Sequence, residues 1–364
     1  MDENGERLTP VYNYLKPVSE SIAQRLFQAN GAKAEFCCRT ASPALGMLLN
    51  SGIQLLWLKQ EKPELFARVK SVLHFPQYLS YILCGQVVSE PTSIGCHTFL
   101  WDFDNHCYHP WLVENGIQLP QPVTNDVVFE SQIADKKLLV GTGIHDSSAS
   151  LVPYLKASAE PFILVSTGTW CISMNPFNAE PLTALQLEQD CLCFLSPDGQ
   201  QVKSSRLFMG HFHEVWAGKL AQHFQTENDR FKTVACSEEL IKWANSYFKS
   251  KSYFFSKGKE GIEEALKSLD LSIFSTYEEA YTKLMIDLTA LCISSIHLII
   301  QAADNTSKLY VSGGFARNPI FIHLLKQHFD NKEIVTSDID NASALGAALV
   351  VAGVVGFKRA NFLS

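Results

Sequence analysis

A chain of 364 residues, 46% hydrophobic and 18% charged, is long enough for two globular domains and too apolar to be disordered. Its net charge of -7 offers no basic face for nucleic acid, and no apolar run reaches the length of a membrane span. The opening stretch MDENGERLTP is charged and lacks the apolar segment of a signal peptide, and ten scattered cysteines without a Cys-x-x-Cys read as reduced thiols in a cytoplasm. Cys191-x-Cys193 and the following HFHE (His211 to Glu214) lack metal-ligand spacing, so zinc is disfavoured.

Apolar residues at helical spacing between Leu45 and Leu58 predict a helix, and Pro63 predicts the start of another. SVLHFPQYLSYILCG predicts a short strand, then a helix opened by Pro76 and ended by Gly85. Residues 89–116, rich in turn formers and aromatics, read as irregular. KKLLVGTGIHD reads as a buried strand running into a glycine turn and a helix. PFILVSTGTWCISMN reads as strand, glycine turn, strand, and residues 181–253 carry no clear pattern. STYEEAYTKLMIDLTALCISSIHLIIQAA reads as one long helix, with Ser275 as N-cap and Glu278 completing a capping box. SKLYVSGGFARNPIFIHLLKQHF predicts strand, turn and helix, and KEIVTSDIDNASALGAALVVAGVVGF a strand and a small-residue helix. Helices alternating with short apolar strands make this an α/β protein.

Three glycine turns follow apolar strands: VGTGIHD, VSTGTW and VSGGFARN. A turn without side chains lets several backbone N–H groups converge on one anion, which is a physical way to hold phosphate. Neither G-x-x-x-x-G-K-[ST] nor G-x-G-x-x-G occurs. On residue type alone Asp146 reads equally as a helix N-cap and as a base, and His145 as a structural or a ligand-binding histidine. STGTW also reads as a plain hairpin, and SGGFARN as a strand-to-helix turn.

GIHDSSASLVPYL, ILVSTGTW, LYVSGGFARNPIF and ASALGAALVVAG, in that order, resemble the FGGY family of carbohydrate kinases. The His145–Asp146 pair and the tryptophan of STGTW most resemble its rhamnulokinase and fuculokinase branch. LLWLKQEKPELFARVK and YLSYILCG are similar to the family's middle helices, so the resemblance spans nearly the whole chain. It implies an α/β fold of the actin-like ATPase (ribonuclease H-like) type, with two domains and an interdomain cleft. Residues 1–157 would form the sugar-binding domain that carries the base, and 158–364 the ATP-binding domain. The implied activity is ATP-dependent phosphorylation of a hydroxyl on a small sugar, a ketose such as L-rhamnulose or L-fuculose, with ATP and Mg2+ as cofactors.

By resemblance, Asp146 is the catalytic base and a water-mediated contact to the metal, and His145 and Ser147 bind the sugar. Thr167, Gly168 and Thr169 face the ATP phosphates, Gly313 and Gly314 approach the adenosine, and Asn318 lies near the base. The implied partners are the sugar and ATP, with no nucleic acid and no membrane; a homodimer stays open. The family opens with a strand and a D-x-G-[ST] turn that grips phosphate, and this sequence contains no such motif. The first domain is therefore expected to be incomplete at its N-terminus. Two readings follow: a sugar kinase, or a truncated inactive relative that binds nucleotide or a partner. A serine hydrolase is disfavoured, because there is no G-x-S-x-G elbow.

Overall fold

A computed structural model describes residues 1–256, 258, 261–339 and 341–354. They form two compact units, one of residues 1–159, 176–204 and 341–354, the other of 160–175 and 205–339. These contact units do not follow a single boundary between 157 and 158. The chain returns twice to the first unit, at 176–204 and at 341–354; at the second return its last described helix packs on the helix that begins at Asp146.

The first unit is mostly short helices. Helix Ser51–Glu61 starts six residues later than the spacing predicts and buries Ile53, Leu55, Leu56, Trp57 and Leu58. Helix Phe75–Cys84 carries Pro76 in its first turn and ends on left-handed Gly85, whose N–H donates to the Tyr81 carbonyl at 2.7 Å. The strand expected before it does not form; Val72, Leu73 and Phe75 line an apolar cavity of about 420 Å³ instead. Strand Lys136–Gly141 pairs antiparallel with Val128–Ile133 alone. It is not the buried strand its composition predicts. Leu138 is 41% and Leu139 52% exposed, because a two-stranded sheet cannot cover both its faces.

Helix Asp146–Ala157 contains Pro153, which has no N–H to offer the carbonyl of Ala149 four residues back. Helix Ala342–Val351 sits against that freed carbonyl. Gly346 approaches so closely that a Cβ there would lie 1.7 Å from the Ala149 oxygen. Ser343 Oγ donates to the carbonyl of Asp146 itself at 3.2 Å. The small-residue helix therefore clamps the Asp146 helix at two points. It ends at Val351, and the remainder of the VVAGVVGF stretch from residue 355 lies outside the described residues.

The second unit is built on strands in the order Glu333–Ser337, Lys308–Gly313, Phe162–Thr167 and Cys171–Asn175. The first three run parallel and the last is antiparallel. The long helix Tyr277–His297 is capped one residue later than expected. Thr276 Oγ1 accepts from Glu279 N–H, and the Glu279 carboxylate accepts from Ser275 N–H at 2.7 Å. Its Lys283 and Asp287 form a buried ion pair at 2.7 Å. Asp287 also accepts from the N–H groups of Tyr253 and Phe254, and Lys283 donates to the Lys251 carbonyl, so the pair is satisfied. The unpatterned stretch 181–253 holds neighbouring strands Cys191–Leu195 and Gln201–Leu207 and helices Met209–His223 and Glu238–Tyr247. None of the ten cysteines, all among the described residues, forms a disulfide.

Gly346→Ala should destabilise the protein by about 1–3 kcal/mol or more, since a backbone carbonyl cannot move out of the way cheaply. Gly218→Ala, on a helix with open space around it, should be neutral or gain up to about 1 kcal/mol. Equal thermal midpoints for the two variants would remove the clamp from the account.

Candidate functional site

The candidate residues fall into two groups, one in each unit. In the first unit, strand Lys136–Gly141 leaves through the turn 142–145 into the Asp146 helix. Gly143 has φ +82°, and a Cβ there would lie 2.5 Å from the Pro76 carbonyl oxygen, so no other residue fits that close approach. His145, in extended conformation, holds the N-cap position, and its side chain makes no capping bond. Its N–H donates to Thr92 Oγ1 at 2.9 Å. Asp146 is the first helical residue rather than the N-cap.

The Asp146 side chain is 81% exposed. Its Oδ1 accepts from the Ser147 N–H at 2.6 Å and lies 3.4 Å from both Ser147 Oγ and His145 Nε2. A carboxylate in the first turn of a helix is favoured by the helix dipole. The His145 ring is only 26% exposed. Burial pushes its pKa below the ordinary histidine value, against the opposing pull of Asp146 and Glu90. A neutral imidazole can then accept at one nitrogen and donate at the other. His145, Asp146 and Ser147 are thus brought together on one short turn.

In the second unit the parallel register pairs Thr167 with Gly313 and Ser166 with Ser312. The two glycine turns therefore leave adjacent strand ends on the same edge, where open α/β sheets bind ligands. Thr167 bolts them together. Its Oγ1 donates to the Ser312 carbonyl and accepts from the Phe315 N–H at 3.0 Å. Gly313 has φ +84°, and a Cβ there would lie 1.8 Å from the Thr167 carbonyl oxygen. Gly168, Thr169, Gly313 and Gly314 are all exposed. The Gly168 N–H closes the hairpin onto the Trp170 carbonyl at 2.9 Å. So STGTW is a hairpin and also a surface of the sheet edge.

Asn318 caps helix Pro319–His328: its Oδ1 accepts from the N–H groups of Ile320 and Phe321. Its Nδ2 donates to Tyr281 Oη at 2.9 Å, and that oxygen lies 2.9 Å from His213 Nε2. Burial holds His213 down to about 4. Sequence reasoning missed Gly210. A Cβ on it would lie 2.1 Å from the Gly168 carbonyl oxygen, and its N–H donates to the Thr169 carbonyl at 3.1 Å. Its only signal was a glycine opening a helix just after a strand. Trp170, 44% exposed, stacks on Phe208 with ring centroids 4.4 Å apart, and the Arg206 guanidinium lies 5.7 Å from the indole.

The FGGY family of carbohydrate kinases, N-terminal domain, matches residues 1–119, and carbohydrate kinase FGGY, C-terminal domain, matches residues 159–359. The chain belongs to the FGGY family of carbohydrate kinases. That family is one of phosphotransferases with the two-domain actin-like ATPase fold. A rhamnulokinase from Oceanobacillus iheyensis is 25% identical over 382 residues, covering 96% of this chain and 75% of that protein. A rhamnulokinase from Yersinia pestis is 26% identical over 200 residues, covering 52% of this chain and 39% of that protein. Among solved structures, a carbohydrate kinase from Novosphingobium aromaticivorans is similar with a TM-score of 0.75 at 22% identity, over 98% of this chain and 75% of that one. A ligand-bound xylulose kinase from Lactobacillus acidophilus gives 0.72 at 16%, over 99% and 74%. The solved structures bear on the fold alone. Among the described residues no helix is long and apolar enough to cross a membrane.

Thr167→Val removes the hydroxyl but keeps the shape. It should leave the Phe315 N–H and the Ser312 carbonyl unpaired and lower stability by about 1–3 kcal/mol. Thr167→Ser, which keeps the hydroxyl, should lose far less in denaturant titration. Equal losses would mean that the methyl group, not the bolt, is what matters.

Proposed function

We propose that the protein is an ATP-dependent kinase that transfers phosphate to a hydroxyl of a small ketose of the rhamnulose or fuculose kind. The observation that carries this reading is the exposed Asp146 carboxylate on a turn held rigidly by its backbone. A sugar hydroxyl is a weak nucleophile at neutral pH, and phosphoryl transfer depends mainly on positioning and charge stabilisation. Asp146 would accept the hydroxyl proton as the oxygen attacks the γ-phosphorus and ADP leaves, a role typically worth about 10²–10⁴ in rate. His145 Nε2 and Ser147 Oγ would hold neighbouring sugar hydroxyls and select the one that faces Asp146.

In the second unit, exposed Thr169 and the Gly313–Gly314 turn would receive the nucleotide. Thr167 and Asn318 would serve by fixing that edge, since their side-chain polar atoms already have protein partners. Bound magnesium would neutralise charge on the phosphates. Among the described residues no cluster of three or more His, Cys, Asp or Glu side chains could hold a metal. A magnesium ion carried by ATP needs only one or two carboxylates beside phosphate oxygens and water, so a water-mediated contact from Asp146 fits it. The His145–Asp146 pair and the similarity to rhamnulokinases support the choice of sugar. A second reading is a relative that binds nucleotide without transferring phosphate.

In a coupled ADP-release assay with magnesium and a ketose panel, Asp146→Asn should lower kcat by at least about 10²-fold and leave ATP binding near normal. Retention of most turnover by the asparagine variant would reject Asp146 as base. A wild-type chain that binds ATP yet turns over no sugar would place the protein in the second reading. Gly314→Leu adds its side chain into open space, so it should fold normally. It should weaken ATP binding by about tenfold or more in calorimetry while sparing the sugar, a change of about 1.4 kcal/mol. Equal loss of both ligands would make this glycine purely structural.

A further inference from the structure

We propose that Glu90 is a positioning residue for the base, the buried acceptor that fixes where the Asp146 helix begins. This rests on the reading of Asp146 as the base. Glu90 is 0% exposed. A buried carboxylate is costly unless its oxygens are satisfied. Five donors meet it: the N–H groups of Thr92 and Ser93, each at 2.7 Å, Thr92 Oγ1 at 2.6 Å, Gln77 Nε2 at 3.1 Å and Asn125 Nδ2 at 2.8 Å.

Capping of the short turn at residues 91–94 explains only the two backbone bonds. The other three donors each reach past Glu90 to the turn before Asp146. Gln77 Nε2 also donates to the Thr142 carbonyl, and Asn125 Nδ2 to the Gly143 carbonyl, both at 3.3 Å. Thr92 Oγ1, while donating to Glu90, accepts the His145 N–H at 2.9 Å. A hydroxyl that donates to a carboxylate becomes a stronger acceptor for its other partner. One carboxylate thus orients three side chains, from three separate parts of the chain, onto three backbone positions of one turn.

The amide oxygens of Gln77 and Asn125 are buried and have no partner. Both amides are therefore aimed by their NH2 groups alone, at the carboxylate and at the turn. Asp146 itself is exposed, so its position is inherited from the backbone that this cluster holds. A catalytic constellation loses rate when its geometry loosens by fractions of an ångström.

The test uses Glu90→Gln, which keeps the shape but turns a donor NH2 group towards donors, and Thr92→Val, which removes only the relay hydroxyl. Amide hydrogen exchange is followed by NMR on the intact chain. In both variants the His145 amide should exchange about tenfold faster or more, while strands Phe162–Thr167 and Lys308–Gly313 keep their wild-type protection. Unchanged exchange at His145 in Thr92→Val would overturn the proposal, as would loss of protection spread evenly over both units. Should Glu90→Gln fail to fold, Thr92→Val still decides. Turnover supplies a readout that a merely structural residue would not move. Glu90→Gln should lower kcat about tenfold or more with KM for ATP unchanged, and should lower it no further in an Asp146→Asn background. Additive losses would also overturn the proposal. Full turnover in Asp146→Asn alone rejects the base assignment, and the exchange result then judges Glu90 separately.

Discussion

Asp146 carries a carboxylate that packing does not hold. With its side chain 81% exposed, only the backbone on either side can place it. Much of the first unit follows from that constraint. Before Asp146, the turn is pressed against the Pro76 carbonyl through Gly143 and is bonded at three positions to side chains gathered by Glu90. After it, Pro153 frees the Ala149 carbonyl, and Gly346 closes on that spot from a helix nearly two hundred residues further along the chain. Rigidity comes from buried polar groups and close backbone contact, so the Asp146 carboxylate oxygens can stay in solvent.

The second unit uses the same arrangement with different residues. Two strand ends lie side by side in parallel register, and a buried hydroxyl, that of Thr167, locks the turns that follow them. Gly313 and Gly210 allow backbones to approach to distances that any side chain would forbid. The outcome is an exposed edge of glycine and threonine over a tightly bonded floor. Exposed backbone at the C-terminal ends of parallel strands suits a phosphate-bearing ligand, which binds to N–H groups and needs room to approach.

Much of this was legible in local sequence. Strand–turn–helix patterns at VGTGIHD and VSGGFARN and the hairpin at VSTGTW formed where the residues indicated, because each depends on neighbours close in the chain. The long helix was legible too, but its cap was not. Ser275 and Thr276 are both good caps, each with a glutamate three residues on, and the second is the one that caps. The return of the last described helix to the first unit could not be read, since Gly346 meets Ala149 from far along the chain. Leu138 and Leu139 read as core, yet exposure depends on how many strands join a sheet, which composition does not encode. Glu90 looked like one acid in an irregular, aromatic-rich stretch. Its role emerges only when Gln77, Thr92 and Asn125 converge in space.

The most direct test of the central claim is phosphorus NMR of the protein with ATP, magnesium and each of a panel of ketoses. If Asp146 deprotonates a bound sugar, one ketose should produce a new phosphate monoester resonance in step with ADP, one for one. ADP appearing with only inorganic phosphate, or ATP left intact beside every sugar while it binds, would contradict sugar phosphorylation by this chain.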